Sequence, residues 1–322
     1  MRVAIITLPL MDNYGGILQN YALQQVLREL GHDPFTIDLL PMLGLKWYFR
    51  GILRMLVKGM PYRRLHKTRL AAYDAIVREY IKKTPVVYRY RESLLRDVDA
   101  LVVGSDQVWR FLYNENRLPD MFLRFACGFK GRRIAYAASF GTDVWDAPER
   151  MKGICSKLVR RFDRVSVREE SGVGICRLDL GVDAVQMPDP VLLLPKSAYL
   201  EICRNVPVCK DGYIAAYVLD NSPLTEKRIR ELQSESDCPV RRFSSGASST
   251  MGLAGWLALF RDACHVVTDS FHGTLVSRIL GKPYTLLVNE ERGAARFRQL
   301  EAIGDLQAES ERGRQFLRDS LA

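Results

Sequence analysis

The run Thr268-Asp269-Ser270-Phe271-His272-Gly273-Thr274 puts hydroxyls, a carboxylate and an imidazole in one short stretch. An apolar run at 264–268 precedes it, and an amphipathic segment closed by Gly281 and Pro283 follows. On a strand-turn-helix unit, Ser270, His272 and the N–H groups of Gly273 and Thr274 would surround a helix N-terminus. A phosphate there would meet oriented donors, the favourable end of the helix dipole and an imidazole. An N-capped helix with a solvated histidine is the competing reading.

Other turns offer comparable groups. Asn13-Tyr14-Gly15-Gly16 precedes a helical pattern, and its two glycines would let backbone N–H groups approach an anion closely; a plain tight turn explains it as well. Gly104-Ser105-Asp106-Gln107-Val108-Trp109 delivers a hydroxyl and a carboxylate, with Asp106 able to hold or deprotonate a sugar hydroxyl or simply to cap a helix. Arg168 opens Arg168-Glu169-Glu170 and could clamp a carboxylate or phosphate through two N–H bonds; a surface ion pair with its glutamates is the alternative. Arg292 and Arg296, four apart on a nascent helix, share a face and could address the same anion. The four histidines are dispersed and no H-E-x-x-H or G-x-S-x-G motif occurs, so the residues favour a metal-independent transfer from an anionic donor, without a bound cofactor.

The elements that must position these turns alternate. Strands are predicted at 2–7, 35–40, 100–103, 134–138 and 165–167, and then at 213–219, 265–268 and 284–288. Helices are predicted at 18–30, 224–233, 252–261 and 273–280. Alternation of this kind implies parallel sheets covered on both faces, with ligands beyond the C-terminal strand ends. Two such series predict an α/β protein of two Rossmann-like domains with a cleft between them. The N-terminal one is expected at 1–195, a linker at 196–211, the second domain at 212–304 and a helical tail at 305–322.

Composition narrows the class further. The chain has 322 residues, 48% hydrophobic and 26% charged, as in ordinary globular proteins, and no apolar run spans a bilayer. Seven scattered cysteines without a C-x-x-C pair read as reduced thiols, and with no secretory signal pattern the expected location is the cytoplasm. The net charge is +10, and between Lys46 and Lys83 eleven Lys and Arg face only Asp74 and Glu79. That insertion, 41–83, interleaves Trp47, Tyr48 and Phe49 with its charge. Residues 43–70 could lie on an anionic membrane, on the inner face of the cytoplasmic membrane, or pack on their own domain. Nucleic acid is disfavoured because no known nucleic-acid motif accompanies the charge.

Taken in order, Asn13-Tyr14-Gly15-Gly16, Gly104-Ser105-Asp106-Gln107-Val108-Trp109, Ser166-Val167-Arg168-Glu169, Asp189-Pro190, Ser270-Phe271-His272-Gly273 and Arg292-Gly293-Ala294-Ala295-Arg296 resemble the polysaccharide pyruvyl transferase family. The resemblance implies a fold like B-type glycosyltransferases and transfer of a pyruvyl group from phosphoenolpyruvate to two hydroxyls of a sugar, forming a cyclic ketal. It implies that His272 contacts the donor phosphate and acts as general acid, with Ser270 and Gly273 completing the cradle. Arg168, Arg292 and Arg296 would bind the donor, Asn13, Tyr14, Gly15, Gly16, Ser105 and Asp106 the acceptor, and Asp106 would be the base. The implied acceptor is a lipid-linked precursor of a surface or capsular polysaccharide. Two rivals stand beside it: a nucleotide-sugar-dependent glycosyltransferase on the same scaffold, and a non-catalytic membrane-surface binding protein.

Overall fold

The computed structural model describes residues 1–10, 13–39, 77–220, 222–236, 238–244, 251–287, 300 and 303–322. The first sheet has six parallel strands, β1 (Arg2–Ile6), β2 (Asp33–Thr36), β3 (Ala100–Val103), β4 (Arg132–Ala138), β5 (Arg164–Val167) and β6 (Val185–Gln186), in the order β2-β1-β3-β4-β5-β6. Val3 to Ile6 and Ala100 to Val103 have no exposed surface, as expected of central parallel strands covered on both faces. Pro34 sits in β2 because that strand is the sheet edge, where a missing N–H is tolerated. The second sheet has four parallel strands, β7 (Ile214–Tyr217), β8 (Val240–Phe243), β9 (His265–Thr268) and β10 (Tyr284–Leu286), in the order β10-β9-β7-β8.

The main helices are α1 (Tyr14–Glu29), α2 (Glu149–Val159), α3 (Glu170–Ile175), α4 (Lys196–Ile202), α5 (Pro223–Ser236), α6 (Leu253–Arg261), α7 (Phe271–Leu280) and α8 (Leu306–Leu321). α1 begins four residues earlier than its periodicity predicts and takes Gly15 and Gly16 into its first turn. The segment read as a linker carries α4, whose Tyr199 is buried. β8 escaped prediction because Arg241 and Arg242 interrupt its apolar pattern, and β6 because it is two residues long. The basic insertion lies outside the described residues except for 77–83.

Both sheets change winding direction at a defined place. β2 and β3 leave β1 on opposite sides, as β8 and β9 leave β7. Such switch points open a crevice at the C-terminal strand ends. The turns at Asn13–Gly16 and Gly104–Gln107 border the first, and that at Asp269–His272 borders the second.

One apolar core joins the two halves, running from Ile17 and Leu18 through Val191 to Leu194 and on to Trp256 and Leu275. The tail returns to the first domain: Leu317 is fully buried in this core, Arg314 pairs with Glu29 at 2.7 Å, and Arg132 donates to the Ala322 carbonyl at 2.6 Å. Leu317→Ala is expected to lower unfolding stability by about 3 kcal/mol, the cost of a buried leucine and its cavity, as measured by urea denaturation.

Candidate active site

Three turns of the first domain and one of the second meet around a carboxylate. Asp189 follows β6 and caps the short helical turn Pro190–Leu193, its Oδ1 accepting from the Val191 N–H at 3.0 Å. Its Oδ2 accepts from Arg168 Nη1 at 2.9 Å and from Ser105 Oγ at 3.4 Å, and lies 3.6 Å from His272 Nε2. Asp189 and Arg168 are 0% exposed and His272 8%. Burial would push the Asp189 carboxyl up. The His272 imidazole, the Arg168 guanidinium and the Val191 N–H outweigh it and hold the group at about 2, below the ordinary 3.8. Burial likewise opposes the charge on Arg168, but Glu169, Asp189 and Asp106 overcome it and raise its pKa.

His272 and Arg168 therefore converge, though through Asp189. Arg168, expected to clamp the donor, has no exposed surface. Its side chain is sealed, with Nη2 donating to Ser139 Oγ at 3.1 Å, Nε 3.4 Å from Glu169, and the Phe271 ring stacked on the guanidinium at 4.5 Å. Ser139 in turn donates to Glu169. The ion pair with Glu169, read as the alternative for Arg168, is present, though buried and not at the surface. Ser139 was given no role by the sequence, and Asp189 and Phe271 stood only as members of the family-like motifs.

His272 lies in the first turn of α7, where Ser270 is the N-cap and accepts from the Gly273 N–H at 3.3 Å. Ser270 and Gly273, expected to cradle phosphate, thus also satisfy one another. The Nδ1 edge of the His272 ring lies against Gly15, so close that a methyl group on Gly15 would collide with it. The N-terminus of α1 therefore faces that of α7. Neither helix has an acidic residue in its first turn, and Asn13 gives α1 no side-chain cap. Two positive helix ends and an imidazole at one point favour an anion. His272 Nε2 is buried without a hydrogen-bond partner among the described residues.

The remaining predicted residues divide. Asn13, Gly16 and Asp106 come together: a methyl on Gly16 would lie 3.4 Å from Asn13 Nδ2 and 3.5 Å from Asp106 Oδ2. Asn13 is exposed. Asp106 adopts a left-handed φ of 71° that aspartate tolerates, and its Oδ1 accepts from the Gln107 N–H. Ser105 is fully buried, with its N–H on Gln19 Oε1 and its Oγ on Ala137 and Asp189. Tyr14 is likewise enclosed. It is fully buried, stacks on Trp256 at 5.5 Å and donates to the Met251 carbonyl, so it ties α1 to the second domain. Arg292 and Arg296 lie outside the described residues. Among the described residues no three His, Cys, Asp or Glu side chains gather as a metal would require.

Two outcomes follow from this packing. Gly15→Ala is expected to displace the imidazole and cut activity by at least about tenfold while the thermal unfolding transition stays cooperative. Arg168→Ala leaves buried Asp189 and Glu169 without their cation, and is expected to cost about 3 to 5 kcal/mol of stability, seen as a large fall in melting temperature.

The structure is similar to UDP-GlcNAc 2-epimerase from Neisseria meningitidis bound to UDP-GlcNAc (TM-score 0.51, 10% identity, 100% of this chain and 94% of that chain covered). It is also similar to UDP-GlcNAc 2-epimerase from Methanocaldococcus jannaschii (TM-score 0.50, 13% identity, 98% and 99% covered). At such identities the likeness concerns the fold, two Rossmann-like domains in the arrangement of B-type glycosyltransferases. No curated protein matches the chain in sequence. Residues 13–291 match the profile described as polysaccharide pyruvyl transferase, a span that takes in β2 to β10 and every turn at the cleft, and so the chain belongs to the polysaccharide pyruvyl transferase family.

Proposed function

We propose that the protein transfers the pyruvyl group of phosphoenolpyruvate to two hydroxyls of one sugar, releasing phosphate and leaving a cyclic ketal. The observation that supports this most is the meeting of two helix N-termini on the buried His272, an arrangement suited to a small, highly charged anion. His272 delivers a proton to the enol methylene, which becomes a methyl group. The neighbouring carbon takes on oxocarbenium character and is attacked by the first hydroxyl; the C–O bond to phosphate then breaks, and the second hydroxyl closes the ring. Of the two hydroxyl protons, one balances the new methyl hydrogen and the other leaves with phosphate.

Asp106, beside Asn13 on the first-domain wall, accepts a hydroxyl proton, and Asn13 orients the acceptor. Arg292 and Arg296 add positive charge for the departing phosphate. The reaction as written needs neither a metal nor a cofactor. The acceptor is a lipid-linked precursor of surface polysaccharide at the inner face of the cytoplasmic membrane, where the basic segment 43–70 meets anionic headgroups.

In a thermal-shift screen phosphoenolpyruvate is expected to stabilise the protein and UDP to leave it unchanged. With a panel of lipid-linked or nitrophenyl sugars, phosphate release is expected from wild type and to fall about 10²- to 10⁴-fold in His272→Gln. Stabilisation by UDP alone would favour the glycosyltransferase reading, and unchanged release in the mutant would end this one.

A further inference from the structure

We infer that Asp189 is the positioning residue of the cleft: from the first domain it holds His272 of the second by Nε2, leaving Nδ1 as the nitrogen that exchanges a proton with the ligand. Every other described partner of Asp189 is a donor: the Val191 N–H at 3.0 Å, Arg168 Nη1 at 2.9 Å and Ser105 Oγ at 3.4 Å. Such a carboxylate is an acceptor only. A bare Nε2 at 3.6 Å from its Oδ2 would set two lone pairs against each other, whereas an Nε2–H points a donor at a negative charge. Nε2 has no hydrogen-bond partner to compete for it among the described residues, and it is closed off from solvent. Nδ1 lies against Gly15 in the first turn of α1.

Among the described residues Asp189 is the one charged side chain in ion-pair contact with His272. Arg168 stands behind Asp189, and Glu169 and Asp106 act on Arg168. The Phe271 ring packs edge-on to the imidazole and, on its other side, over Arg168, so the ring has little freedom to turn away. A second carboxylate-held histidine nitrogen of this kind is how proteins fix which tautomer is presented to a reactant. Asp189 touches no ligand in this scheme and acts through His272.

The test uses the full chain labelled with ¹⁵N-histidine. It has four histidines, and the His272 signal is assigned by its loss in His272→Gln. At high pH the wild-type signal is expected to be the Nε2–H tautomer, and in Asp189→Asn, whose amide can turn an N–H towards the ring, the Nδ1–H tautomer is expected to gain. An Nδ1–H tautomer in wild type, or an unchanged Nε2–H signal in Asp189→Asn, overturns the inference. If the variant does not fold, the wild-type tautomer decides alone.

A kinetic arm rests on the pyruvyl-transfer reading. In phosphate release from phosphoenolpyruvate, Asp189→Asn is expected to lower kcat about a hundredfold with KM changed less than about threefold. An unchanged kcat, or a loss carried by KM instead, overturns the inference. Absence of release from the wild type would defeat the functional reading and leave the tautomer measurement standing.

Discussion

An ionised carboxylate in a protein interior costs several kcal/mol to desolvate, and it persists only where donors surround it. Asp189 meets that condition with groups drawn from four parts of the chain: Ser105 after β3, Arg168 after β5, Val191 in the crossing segment and His272 in α7. The first three fix the acid within the first domain. The fourth belongs to the second domain, so the relative placement of the domains is part of the site. Removing the Arg168 charge would leave Asp189 and Glu169 facing each other in a dry region. The same charge, covered by Phe271, ties the α7 turn to the first sheet.

Around this centre the fold turns the N-termini of two helices, α1 and α7, towards the cleft. Parallel strands bring successive turns to one edge, and each switch point leaves one such turn facing the opposite domain. α1 and α7 present their N-termini to each other, and Gly15 permits an approach that any side chain would block. Tyr14 on Trp256, and Leu317 in the shared core, hold that approach in place from the apolar side. Asp106 and Asn13 stand beside Gly16, offering a carboxylate and an amide.

The motifs with local causes were legible. Ser270 caps α7 and Gly281 ends it in a left-handed conformation, as strand-turn-helix chemistry requires. The apolar runs at β1, β3 and β9 became central strands because a chain segment with no polar face must be covered on both sides. Where local signals conflicted the reading failed: the glycines at 15 and 16 resembled a loop but are held in α1 by packing, and the arginines of β8 hid an edge strand. Pairings between distant residues left no trace in spacing. Cys238 and Cys264 come within 3.6 Å although neither forms a short motif.

From residue order alone the protein could be read as two α/β units whose glycine-bearing turns carry His272, Arg168 and Asp106 to sheet edges, because capping, turn and strand propensities act over a few neighbours. Which of those groups faces a ligand depended on contacts between residues far apart in the chain. Arg168 reaches Asp189 across 21 positions, Ser105 reaches it across 84, and His272 arrives from the other domain. The free energy of a buried charge depends on everything within a few ångströms of it in space, and such neighbours exist only once both sheets have closed on one another.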